Sequence, residues 1–330
     1  NSESLSGSST VKDLETLLQL NYLYFTAPRR DEESYQTLMS ILESQLANRD
    51  KNPKVAFNDS IQMMTSNNSE RTVIFTKKLL EKVSLDKALE VYKARFANPA
   101  DFTFFFVGNV NPEDAAFKAQ VCQWLGGLKA NKKKEKVVDH QVRVPLGKQQ
   151  NYFTQKMETK TASNRIQYTS YDIPYTLAND LNMEMIGRIL STRYLESIRE
   201  REGGSYGVGC GGGLNIYPVP MAYLIMQFDT DPEKQTKLMN IIHEEVQTIV
   251  KDGPLAKDLN KEKESMLKDF QEDLEKNSYW QTALYMYYLC GVNYIADYKA
   301  AVEGITAETV QSTLKRLVAS GNMFEVVMLP

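Results

Sequence analysis

The 330-residue chain exceeds the size at which one hydrophobic core usually keeps growing, which favours two domains. Apolar residues at 42% and charged residues at 25% are the proportions of a folded globular protein, and no run of about twenty apolar residues is present that could span a bilayer. A formal net charge of −3 provides no general attraction to a polyanion, so nucleic acid is not an expected partner.

The chain opens Asn1-Ser2-Glu3-Ser4-Leu5, without Met, basic residues or an apolar signal stretch. This reads as a processed or trimmed start and leaves the compartment, periplasmic or cytoplasmic, open. Helical periodicity begins at Val11, where Leu14, Leu17, Leu18 and Leu20 with Tyr22 and Leu23 recur mostly at three- and four-residue intervals up to Pro28. Tyr35, Leu38, Ile41, Leu42 and Leu46 line one face of a second helix over about 31–47, and shorter helical patterns follow over 57–64 and 80–95. The aromatic run Phe102-Thr103-Phe104-Phe105-Phe106-Val107 reads as a buried strand, and Asn111 before Pro112 as the N-cap of a helix to about Leu125. A single strand cannot satisfy its own backbone groups, so the first domain, residues 1–128, is expected to be helix-rich and truncated.

Residues 129–149 are polar and contain Lys132, Lys133, Lys134 and Lys136, which read as a solvated linker because no aromatic side chains interleave with them. The second domain, residues 150–330, starts with strand patterns over 150–158 and 165–171. A long helix follows over about 175–202, ended by Gly203-Gly204, and then two strands over 205–215 and 220–228. Asp231-Pro232 restarts helix with Leu238, Ile241, Ile242, Val246 and Ile249 as its apolar stripe, further helices run to Val318, and Met323–Met328 forms a last strand. The order implies an α+β fold of two related domains, each an antiparallel sheet with helices packed on one face.

Cys122, Cys210 and Cys290 are odd in number and widely spaced, and read as buried free thiols rather than disulfide or zinc ligands. Of the two histidines, His243 begins His243-Glu244-Glu245-Val246-Gln247, which has Gln where an HExxH zinc helix needs its second imidazole. The inverted HxxEH pattern fails as well, because Met239 and Ile242 precede His243 at the required positions, and Lys136 and Asp139 precede His140. Both histidines therefore read as solvated side chains, and no metal site or catalytic residue is expected in this chain. The glycine run Gly209-Cys210-Gly211-Gly212-Gly213 lacks the Lys-Ser/Thr of a phosphate loop, and reads as a strand that another backbone approaches closely.

The remaining concentration of donors is the helix-to-strand junction Ile198-Arg199-Glu200-Arg201-Glu202-Gly203-Gly204-Ser205-Tyr206-Gly207-Val208. From the residues alone two roles fit: Arg199 caps the last helical carbonyls while Tyr206 packs in a strand, or both donors face a ligand. Arg201 supplies a second guanidinium two residues on. The junction resembles the C-terminal half of pitrilysin-type (insulinase-like) zinc metallopeptidases, in which an Arg and a Tyr seven positions apart bracket a helix end and a strand start, as Arg199 and Tyr206 do. Leu14-Glu15-Thr16-Leu17-Leu18-Gln19-Leu20, Ala27-Pro28-Arg29, Arg95-Phe96-Ala97-Asn98 and Phe106-Val107-Gly108-Asn109 are similar to the family in the same order.

The resemblance implies a non-catalytic half that grips a peptide substrate through Arg199 and Tyr206 and closes the chamber of a zinc metalloendopeptidase. It places the zinc, HxxEH and a distal Glu in an N-terminal half or subunit outside this chain, and makes that half a partner. A structural or assembly subunit that keeps the fold without a proteolytic role is the alternative.

Overall fold

The fold is described from a computed structural model covering residues 3–49, 51–131, 133–200, 202–203 and 207–330. The chain divides into two compact units, Asn1–Arg49 with Phe75–Val138, and Asp50–Ile74 with Asp139–Pro330. Helices α1 (Leu14–Thr26) and α2 (Glu32–Arg49) open the first unit, and α3 (Pro53–Thr65) belongs to the second. The first unit continues with α4 (Lys77–Leu80), α5 (Leu85–Arg95) and α6 (Ala115–Trp124).

Side-chain caps set the starts of α4, α5 and α6: Thr76 accepts from the Leu79 amide, Ser84 from Lys87 and Asp114 from Ala116. Ser84 is also why the single helix expected over 80–95 is two. The cap of α6 is Asp114 and not Asn111, whose side chain instead accepts from the Glu113 amide at 3.0 Å in the preceding turn. The aromatic run at 102–107 is extended but enters no strand ladder among the described residues. Its apolar content serves helix packing instead: Phe102 meets Phe25 of α1 edge-on at 4.9 Å and stacks with Phe96 at 5.1 Å, and Phe106 meets Phe117 of α6 at 5.6 Å.

The second unit is built on a five-stranded sheet of β1 (Lys148–Thr154), β2 (Ala162–Ser170), β3 (Gly209–Asn215), β4 (Met221–Thr230) and β5 (Asn322–Leu329), in the order β1-β5-β2-β4-β3. All pairings are antiparallel except β1 with β5, which is parallel, so the α+β class holds with a mixed sheet. Between the strands run α7 (Leu177–Tyr194), α8 (Gln235–Asp252), α9 (Ala256–Asp273), α10 (Asn277–Cys290), α11 (Tyr298–Glu303) and α12 (Ala307–Ala319). Helices α7, α8 and α12 bury one face of the sheet, with Ile186, Leu190, Ile242, Val246, Leu314 and Leu317 among its core residues.

Strand β5 is buried on both faces, which is why it reads as an apolar run broken only by Glu325 between Met323 and Met328. Met323 and Val327 join the helix-side core, while Phe324, Val326 and Met328 pack with Phe57 of α3 on the opposite face. A helix from early in the chain thus covers part of the second face. On the helix side the glycine run meets α7: a Cβ at Gly212 would lie 2.1 Å from the Met183 carbonyl oxygen, and one at Gly187 of α7 would lie 2.6 Å from the Gly212 nitrogen. The backbone that approaches β3 is therefore that of α7. Among the cysteines, Cys210 and Cys290 are partly buried, and Cys122, expected inside, is exposed on α6.

Candidate functional site at the helix-to-strand junction

The junction is positioned by α7, whose first turn is capped by the Thr176 hydroxyl accepting from the Asn179 amide at 3.1 Å. Tyr194, at its other end, is buried and donates to the Ile242 carbonyl of α8 at 3.2 Å. Beyond it, Leu195–Glu200 continues as a wide π-helical turn. The wider turn rotates the side chains relative to an α-helix, so that Ser197 and Ile198 are buried while Arg199 and Glu200 are exposed. Arg193 fastens the turn from outside, pairing with Glu196 at 3.0 Å and with Glu245 of α8 at 3.2 Å. Gly203, at φ 54°, closes it by donating to the Arg199 carbonyl at 3.2 Å. Lys234 then holds the Glu202 and Gly203 carbonyls at 3.2 and 3.4 Å, and Lys237 the Glu202 carboxylate at 2.5 Å.

The Arg199 guanidinium makes no hydrogen bond or ion pair with any described residue. It therefore caps no helical carbonyl among them, and its fork of donors faces solvent. Tyr206 and Arg201 lie outside the described residues, as do Gly204 and Ser205.

A second polar cluster was missed from sequence. His243, expected to be solvated, has both ring nitrogens engaged: Nε2 lies 2.8 Å from Glu325 and Nδ1 2.7 Å from the Tyr168 hydroxyl. A neutral imidazole that donates from Nε2 to the carboxylate accepts at Nδ1 from the tyrosine. Tyr152 and Gln150 of β1 donate to the other carboxylate oxygen of Glu325 at 2.6 and 2.8 Å. The signal was a carboxylate in the middle of Met323-Phe324-Glu325-Val326-Val327, since a charge in a strand buried on both faces requires partners. Burial alone would push Glu325 up, but hydrogen bonds from His243, Tyr152 and Gln150 overcome it and hold the carboxyl at about 2. Its folded value is thus below the ordinary 4.5, so the stabilisation is full above that pH and is lost as pH falls toward 2. Glu325→Gln is expected to cost roughly 2–3 kcal/mol at pH 7, a gap that narrows between pH 4.5 and 2 in melts followed by circular dichroism.

His140 is exposed, and the described residues contain no group of three or more His, Cys, Asp or Glu side chains that could hold a metal. With His243 committed to Tyr168 and Glu325, the described side chains do not fit a catalytic zinc.

The fold has counterparts in known proteins. The chain is 24% identical to an Arabidopsis thaliana protein named zinc protease PQQL-like, over 93% of this chain and 34% of that protein, so it spans about a third of that relative's length. Its fold is similar to the periplasmic protease PqqL of Escherichia coli, with a TM-score of 0.82 at 17% identity over 97% of this chain and 35% of that one. It is also similar to a mutant of the ferredoxin protease FusC solved with Arabidopsis ferredoxin, with a TM-score of 0.80 at 16% identity over 97% of this chain and 34% of that one. Residues 82–266, more than half of the sequence and including the junction, match the peptidase M16 inactive domain, and the chain belongs to that family.

Proposed function

We propose that this chain is the non-catalytic half of a zinc metalloendopeptidase, binding peptide substrate and closing the chamber around a zinc carried by an N-terminal half or a separate subunit. The observation that carries the reading is the family match to an inactive domain, joined to an Arg199 whose donors are exposed and engaged by no described residue. Arg199 holds substrate carbonyls with its fork, and Tyr206, seven positions on in the sequence, adds one hydroxyl donor toward developing oxyanion charge. Substrate hydrolysis belongs to the zinc in the partner half. Similarity to a protease solved with ferredoxin supports a polypeptide substrate.

The dialysed chain alone is expected to retain less than one zinc per molecule and to cleave no peptide. Metal analysis and a peptidase assay check this together. One tightly held zinc per chain, accompanied by activity, would overturn the reading.

A further inference from the structure

The second unit contains a cation without an anion. Arg165 sits on β2, the middle strand of the sheet, opposite Gln227 of β4 and Val326 of β5, on the face away from α7 and α8. Its terminal nitrogens donate to the Gln227 and Gln167 side-chain carbonyls at 3.1 and 2.9 Å. Its Nε–H is buried and has no acceptor among the described residues. A guanidinium offers five donors, so neutral acceptors at two of them leave the charge and the other donors unanswered. No carboxylate of a described residue pairs with it, and Asp229, an acid farther along the same face, is held by Lys54. Burial with no compensating charge lowers the Arg165 pKa from its ordinary value.

A half-buried, unpaired guanidinium is costly to keep, and the two glutamines orient it without neutralising it. The apolar Phe324 and Val326 beside it strengthen any charge pair formed there, because they exclude water from one side. We infer that Arg165 is a receptor for a carboxylate, with an acidic peptide segment as the ligand. A planar fork with free donors matches a carboxylate in two parallel hydrogen bonds, which a rounder anion does not reproduce as well. The peptide identity of the ligand rests on the peptide-binding reading above; the anion site itself does not.

The full chain would be titrated with a blocked decapeptide carrying one Glu among Ala and Gly, with its Gln counterpart, and separately with acetate and inorganic phosphate. Binding would be followed by anisotropy for the peptides and by the Arg165 Nε–H resonance in arginine-labelled protein. The Glu peptide is expected to bind at least about 10-fold more tightly than the Gln peptide and to shift the Nε–H signal, with the preference lost in Arg165→Gln and reduced in Arg165→Lys. Arg165→Gln removes a buried charge and should leave the melting temperature unchanged or higher, which separates loss of binding from loss of fold. Equal binding of both peptides to wild type, or an undiminished preference in Arg165→Gln, would overturn the inference. A phosphate response with none from the Glu peptide or acetate would overturn the carboxylate assignment. None of these outcomes depends on catalysis, so they stand apart from the zinc and activity measurements that test the proposed function.

Discussion

Replacing Arg199 with Ala in the assembled protease is expected to lower kcat/KM by up to about 100- to 1000-fold, with Tyr206→Phe in the same direction, while the chain stays folded. Both changes remove donors and little buried volume. The Arg199 side chain is exposed and engages no described residue, so its removal leaves no cavity and no orphaned partner. A loss in kcat and kcat/KM together would place the contact in the transition state, and a rise in KM alone would make it a ground-state grip. The comparison requires the zinc-bearing half, because the isolated chain is expected to have no activity to lose. Wild-type kcat/KM in both variants on every peptide tested would sink the substrate-grip role and favour the structural or assembly subunit. Lower melting temperature with catalysis intact would return Arg199 to a helix-capping role.

What the sequence revealed of this fold follows the strength of each local signal. Strands β2, β4 and β5 and helix α8 emerged within a few residues of their observed bounds, and the helix expected over 175–202 is α7 continued by the π-helical turn to Glu200, because their apolar faces are long and their ends are marked by Gly, Pro or Asp. The aromatic segment at 102–107 misled because aromatic enrichment reports burial, and a strand exists only where a second segment pairs with it; here Phe25 of α1, Phe96 just after α5 and Phe117 of α6 take up the rings. The parallel pairing of β1 with β5 joins segments more than 160 residues apart, a relation that local periodicity does not encode. For the site, the spacing of Arg199 and Tyr206 drew attention to the junction, but the wide turn that aims Arg199 outward left no mark in residue type. His243 was misread for the opposite reason: its partners Tyr168 and Glu325 are distant in sequence, and only the buried Glu325 hinted at the cluster.

The junction depends on α7 lying directly on β3, and this contact supplies the largest stability effect expected in the chain. At Gly212 a methyl group would stand 2.1 Å from the Met183 carbonyl oxygen and 2.9 Å from its carbon, both backbone atoms of α7 that no rotamer change can move. Relief requires the helix to lift from the strand, which opens the packing around Met183, Ile186 and Leu190, all fully buried. Gly212→Ala is therefore expected to destabilise the second unit by about 3 kcal/mol, at the upper end of overpacking costs, and to lower its melting temperature by roughly 6–12 °C. Gly211→Ala is the internal control: its Cβ meets nothing within 4 Å on the other face of the same strand, so stability should change by no more than about 0.5 kcal/mol. Matching melting temperatures for the two variants would show that helix and strand do not meet backbone to backbone. A selective loss in Gly212→Ala, with kcat/KM of the assembled protease falling beside it, would tie the seating of α7 to the placement of Arg199 at the helix's far end.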